Sequence, residues 1–101
     1  MIDFHNESTQ RLFEAISLLK NADECAAFFD DICTIKEVQD MAQRLDTAFM
    51  LDSGANYQSI SKQIKISTAT ISRVSRCLNY GSGGYRLIID RMKETETWNE
   101  A

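Results

Sequence analysis

Apolar residues return every three or four positions through most of this chain, and residues able to cap a helix separate the runs. From about Ser8 to Lys20, Leu12, Phe13, Ile16 and Leu19 fall on one stripe. Asn21, with Glu24 three residues on, reads as a capping box, and the short helix it opens carries Cys25, Phe28, Phe29 and Ile32. Thr34 with Glu37 repeats the signature and opens the longest helix, which Gly54 stops after about Ser53. Its apolar positions, Ile35, Val38, Met41, Ala42, Leu45, Phe49 and Met50, make a stripe wider than one neighbour needs.

The next stretch, NYQSISKQIKISTATISRVSRCL from Asn56 to Leu78, predicts two short helices joined by a tight turn. Asn56 caps the first, with Ile60 and Ile64 one turn apart on its inner face. Lys65-Ile66-Ser67 forms the turn, and Ser67 caps a second helix whose buried row is Ile71, Val74 and Leu78. Lys65 stands where such a turn favours glycine, and Ser61 where it favours alanine. After a glycine-containing connection, a last helix over 84–93 turns Tyr85, Ile88, Ile89 and Met92 inward and leaves Arg86, Arg91 and Lys93 to solvent. Residues 94–101, with Trp98, read as a loosely ordered tail.

With 101 residues, no proline and four glycines, the chain is expected to form a single all-α domain over 1–101. Within it, 1–55 would supply dimerisation helices and 56–80 a helix-turn-helix, followed by the 84–93 helix and the tail. The wide apolar stripes before Asn56 exceed what one small chain hides, so a homodimer is expected. No run approaches the ~20 apolar residues of a membrane span, and the N-terminus lacks a basic-then-apolar signal pattern. A cytoplasmic protein without a membrane partner is the expectation. Cys25, Cys33 and Cys77 are an odd number without CxxC spacing and read as small core residues in a reducing compartment, with no metal site.

Nothing in the chain suggests catalysis. There is no nucleophile–base pair and no cofactor loop, and the one histidine, His5, lies near the N-terminus. Asp30 and Asp31 are adjacent, so a helix points them in different directions. The glycine cluster around Ser82 lacks the Gly-Lys-Ser/Thr ending of a phosphate loop. No enzyme, catalytic residue or cofactor is expected.

Charge changes the picture more than composition does. The net charge of −4 hides a division: residues 1–56 carry four Lys/Arg against eleven Asp/Glu, and residues 57–93 carry seven against Asp90 alone. The basic half coincides with the two-helix turn, as a nucleic-acid-reading element requires. Its second helix presents Thr68, Ala69, Thr70, Ser72, Arg73 and Arg76, which are small, polar or cationic and suited to a major groove. Thr68, Ala69, Thr70 and Ser72 are the candidate base readers, with Thr70 foremost. Gln58, Ser61, Lys62, Lys65, Arg73 and Arg76 are the candidate phosphate or flanking contacts. The expected function is sequence-specific binding of double-stranded DNA by a dimeric transcriptional regulator, a repressor on a near-palindromic operator. The alternative is a helical protein-interaction module contacting transcription machinery, because the same corner resembles sigma-factor region 4.

The runs TIKEVQDMAQRLDTAFML and YQSISKQIKISTATISRVSRCLNYGSGGY resemble the tryptophan repressor family, in its branch of small TrpR-related YerC/YecD proteins. The resemblance covers roughly Cys25 to Lys93, and STATISRVSRCLNYG is its most specific block. It implies an all-α fold of about six helices in which two chains intertwine through their N-terminal helices. It also implies a corepressor site, with Thr34, Arg44 and Arg73 at the places that hold the ligand's carboxylate and ring. Val74 and Cys77 depart from that pattern, which has glycine and serine there. A β-branched side chain at Val74 would crowd an indole, so any small amino-acid-like effector is not expected to be tryptophan itself.

Overall fold

The computed structural model describes residues 4–95, and the tail expected around Trp98 lies outside that range. The described chain is all-α, with α1 Glu7–Ser17, α2 Ala22–Ile32, α3 Ile35–Asp52, α4 Tyr57–Ile64, α5 Thr68–Tyr80 and α6 Gly84–Lys93. Its contacts cluster into two compact units, Met1–Gln39 and Asp40–Ala101, and the division falls within α3. The sequence showed its own change of character later, near Asn56, where the charge reverses.

Side-chain caps start five of the helices. The Asn6, Asn21 and Asn56 side chains accept the N–H groups of Thr9, Glu24 and Ser59 at 2.8, 2.9 and 2.9 Å. Ser67 accepts that of Thr70 at 3.2 Å. At α3 the box closes in both directions: Glu37 N–H donates to Thr34 Oγ1 at 3.1 Å, and Thr34 N–H donates to Glu37 Oε1 at 2.8 Å. Those bonds favour the ionised carboxylate and hold Glu37 below its usual pKa. Glu24 reaches back one residue further, accepting from Lys20 N–H at 3.0 Å.

Glycine ends α3 as expected. Gly54 lies at φ 91°, its N–H donates to Leu51 O, and Ala55 N–H donates to Met50 O, which together form a Schellman stop. The fifth helix runs past the expected end at Leu78 to Tyr80, and Gly81 closes it with an N–H bond to Cys77 O. A Cβ at residue 81 would lie 2.4 Å from that same carbonyl oxygen, so only glycine fits the turn as built.

The unit Met1–Gln39 has no buried residue in α1 or α2. Leu12, Phe13, Leu18, Ile32, Ile35 and Val38 are all exposed, Ile35 by 73%. Phe4 meets Phe13 edge-on at 5.3 Å, and its carbonyl accepts from Gln10 Nε2 at 2.9 Å.

The unit Asp40–Ala101 contains the core. Ala48 and Phe49 of α3, Val74 of α5 and Ile89 of α6 form one buried cluster, with Leu45, Leu51, Leu78, Tyr85 and Met92 packed around it. Ile60 and Ile71 are fully buried, while Ile64 and Ile66 are only half-buried. Ile88, expected inward, is exposed on the outer side of α6.

Arg86 and Lys93 are not simply left to solvent. Asp52, at the end of α3, takes both: Arg86 at 2.6 Å and Lys93 on its other oxygen. Arg86 also reaches Asp90 at 3.3 Å, four residues along the same helix. Only 12% of the Asp52 side chain is exposed, and the two cations hold its carboxyl below the usual 3.8, the Arg86 bond contributing most. An acid in the last turn of a helix opposes the helix dipole, and this one is compensated from α6.

Replacing Asp52 by alanine should lower the melting temperature by roughly 3–8 °C, as expected for two half-exposed ion pairs in a domain of this size. The folded pKa is depressed, so the contribution is fully present above the ordinary value of 3.8 and is lost as pH falls through the lower folded value. Thermal melts of wild type and Asp52→Ala should therefore differ at neutral pH and converge in strong acid. A gap that persists undiminished there would mean that packing, not charge, joins α6 to Asp52.

Candidate functional site

The turn between α4 and α5 is built on a left-handed residue. Lys65 sits at φ 62°, ψ 45° and is the one non-glycine residue at positive φ among those described. The conformation lies in the allowed left-handed well but costs a side-chain-bearing residue about 1–2 kcal/mol. Lys65 N–H closes α4 by donating to Ser61 O at 2.9 Å. The Ser61 hydroxyl then donates to Ile66 O at 2.8 Å, satisfying a carbonyl that the reversing chain leaves without a helical partner. A hydroxyl has one proton, and in this geometry Ser61 spends it inside the turn. The structure therefore places Ser61 as a brace for the corner, where the sequence suggested a phosphate donor.

Beyond the turn, Ser67 caps α5, and the buried pair Ile71 and Val74 fixes how that helix is rotated. Thr68, Ala69, Ser72, Arg73 and Arg76 are exposed. Thr70 is different: it is half-buried, its hydroxyl lies 3.1 Å from that of Ser67, and it lines a cleft behind the exposed face. The foremost candidate base reader thus faces sideways, on the same side of the helix as Arg73, Val74 and Cys77. On α4, Gln58 and Lys62 are exposed. The side chains of Lys62, Lys65, Arg73 and Arg76 make no hydrogen bond or ion pair with any described residue, which leaves four cations around one capped helix.

The cleft has a volume of about 380 Å³ and is lined by Arg44 of α3, by Thr70, Arg73, Val74 and Cys77 of α5, and by Tyr85 of α6. The structure brings together there Arg44 and Arg73, two of the three residues that the resemblance implied for a ligand. Thr34 is not among the lining residues: it belongs to the other unit, where its hydroxyl serves the α3 capping box. Cys77, read as a core residue, is exposed at the cleft, while Cys25 and Cys33 are half-buried. Tyr85 was missed as a cleft residue, because its place in the apolar stripe of α6 marked it only as core. Burial raises its phenol above the ordinary 10.0, while the guanidinium charges of Arg44 and Arg73 pull it back. Two guanidinium groups with no ion pair among the described residues, and with hydroxyls beside them, can hold a carboxylate or another small anion.

Comparison with known proteins follows the same outline. The family model for the Trp repressor protein matches residues 7–93, which takes in all six helices. The chain belongs to the Trp repressor family. Within that family it is 55% identical over 87 residues to the uncharacterized protein YerC of Bacillus subtilis (strain 168), covering 86% of this chain and 84% of YerC. The crystal structure of a TrpR-like protein from Eubacterium eligens ATCC 27750 superposes with a TM-score of 0.86 at 42% identity, covering 92% of this chain and 96% of that one. A Staphylococcus aureus crystal structure, assigned provisionally as a Trp repressor, gives 0.84 at 44% identity, with 90% and 91% covered. The all-α, Trp repressor-like fold that the resemblance implied is the fold observed among the described residues.

The tyrosine offers a direct reading of the cleft. Spectrophotometric titration, compared with Tyr85→Phe to isolate the signal, should place the Tyr85 midpoint above 10.0. Arg44→Gln should move it higher still, because the guanidinium that favours the phenolate is gone. A midpoint unaffected by Arg44→Gln and equal to that of a free phenol would show that Tyr85 does not share the cleft with the arginines.

Proposed function

We propose that this Trp repressor family member is a sequence-specific DNA-binding transcriptional regulator, acting in the cytoplasm as a homodimeric repressor on a near-palindromic operator. The observation that carries the reading is the outward face of α5. A capped helix there presents small and polar residues, and the four surrounding cations have no ion pair among the described residues, whereas Arg86 and Lys93 are paired with Asp52. Thr68, Ala69 and Ser72 are assigned to base edges, and Lys62, Arg73 and Arg76 to phosphates. Thr70 shapes the helix N-terminus from the cleft side.

Support for the homodimer comes from the first unit. α1 and α2 have no fully buried residue within one chain, and a stretch of about 40 residues or fewer seldom sustains a core of its own. A second copy of the same chain is the occupant proposed for that apolar surface. Two heads related by a two-fold axis call for half-sites about one helical turn (~10 base pairs) or a multiple apart.

The cleft supports an effector site for a small molecule bearing a carboxylate or similar anion between Arg44 and Arg73. Val74 and Cys77 line it, so its walls are less open to a broad aromatic ring. The competing reading, an interaction module for transcription machinery, draws on Tyr80, which is 87% exposed, and on exposed Leu87 and Ile88.

DNA binding measured by fluorescence anisotropy against salt separates the two readings. A dimeric regulator touching on the order of six to eight phosphates should show a steep log–log slope, roughly −0.9 per phosphate. Arg76→Ala should weaken specific and random duplex alike and flatten that slope. An interaction module would show neither affinity nor slope. Sedimentation equilibrium should find a dimer at micromolar concentration, and a monomer throughout that range would remove the paired head.

Calorimetry should find tryptophan weak or silent. Tight tryptophan binding would show that the cleft accommodates an indole beside Val74.

A further inference from the structure

The lysine at the corner is an odd choice for stability. Elsewhere among the described residues the chain puts glycine at positive φ, at Gly54 and Gly83, and glycine at the corner would relieve the left-handed strain. Lys65 is also exposed, and its ammonium has no partner among the described residues, so no bond within the fold explains its presence. Some compensation comes from the carbonyl end of α4, where a cation is favourable, but Lys62 already occupies that last turn. Meanwhile the turn is held firmly. Lys65 N–H and the Ser61 hydroxyl fix both sides of the residue, so its Cα is presented at a defined place beside the N-terminus of α5.

We propose that Lys65 is kept in this left-handed conformation for binding and not for folding: its ammonium, with that of Lys62, takes a backbone phosphate of the nucleic acid read by α5. Strain of this kind persists where surrounding bonds over-determine it and where function uses the result. The inference rests on the DNA-binding reading and assigns to one residue a stability-for-charge exchange within it.

Three variants of the full-length chain test it: Lys65→Gly, Lys65→Asn and Lys65→Arg. Glycine and asparagine accept the backbone geometry without the charge, and arginine keeps the charge. Lys65→Gly and Lys65→Asn should melt at the wild-type temperature or a few degrees above it. Both should lose affinity for random duplex, on the order of tenfold for each head at ~0.1 M salt, and flatten the salt slope by roughly one unit per head. Lys65→Arg should retain the wild-type slope. A lower melting temperature for Lys65→Gly would overturn the proposal, since the lysine would then serve the fold. An unchanged slope in Lys65→Gly and Lys65→Asn, with wild type binding steeply, would overturn it while leaving the DNA-binding reading intact. If wild type itself shows no salt-dependent binding to DNA, that reading fails first and takes the proposal with it.

Discussion

The burial of Val74 against Ala48, Phe49 and Ile89 sets what every other side chain of α5 can do. A helix has one rotation about its axis, and once Val74 and Ile71 are inside, positions four apart beginning at Thr68 must lie outside. Thr68, Ser72 and Arg76 therefore share the exposed face. Thr70, Arg73 and Cys77, spaced three and four residues apart beside Val74, turn to the flank where Arg44 and Tyr85 complete the cleft. One packing contact thus separates a surface suited to a long polyanion from a recess suited to a small one. Arg73, exposed and lining the cleft, lies on the boundary between them.

Much of this was legible in the residues because it is local. Caps act over three residues, and Asn21, Thr34, Asn56 and Ser67 all cap where their spacing indicated. The left-handed corner was legible too, since a turn of that length between two apolar rows needs positive φ at residue 65, whatever side chain stands there. Which side of α5 Thr70 occupies was not legible. Thr68 to Arg76 cannot all face one way on a period of 3.6 residues, and only knowing which neighbour is buried resolves the remaining ambiguity of about one residue.

Asp52 marks where local reasoning stops. Its partners lie 34 and 41 residues away, and no short spacing connects them. The one hint was electrostatic, because a carboxylate in the final turn of α3 faces the negative end of the helix dipole. Such a residue persists where a cation answers it. The same pairing reduces the free positive charge of the C-terminal half, so counting lysines and arginines along the sequence overstates the charge available to a partner. Among the described residues 57–93, the cations left without an ion pair are Lys62, Lys65, Arg73 and Arg76 around the corner and α5, and Arg91 on α6.

Exposed apolar surface carries a comparable lesson for the first unit. The stripe of α3 divides by position: Leu45 and Phe49 pack into the core, while Ile35, Val38 and Met41 stay uncovered. A periodic stripe records that a face is buried, without recording by what. Where the covering element belongs to the same chain, as for Phe49, the stripe yields a core. Where α1, α2 and the start of α3 cover one another only in part, leaving Leu12, Phe13, Ile35 and Val38 exposed, the same periodicity yields an apolar surface. The N-terminal helices and the corner therefore differ in kind, one exposing apolar side chains and the other cations. Both kinds of position lie on one continuous helix, since α3 begins at exposed Ile35 in the first unit and carries Ala48 and Phe49 of the buried core in the second.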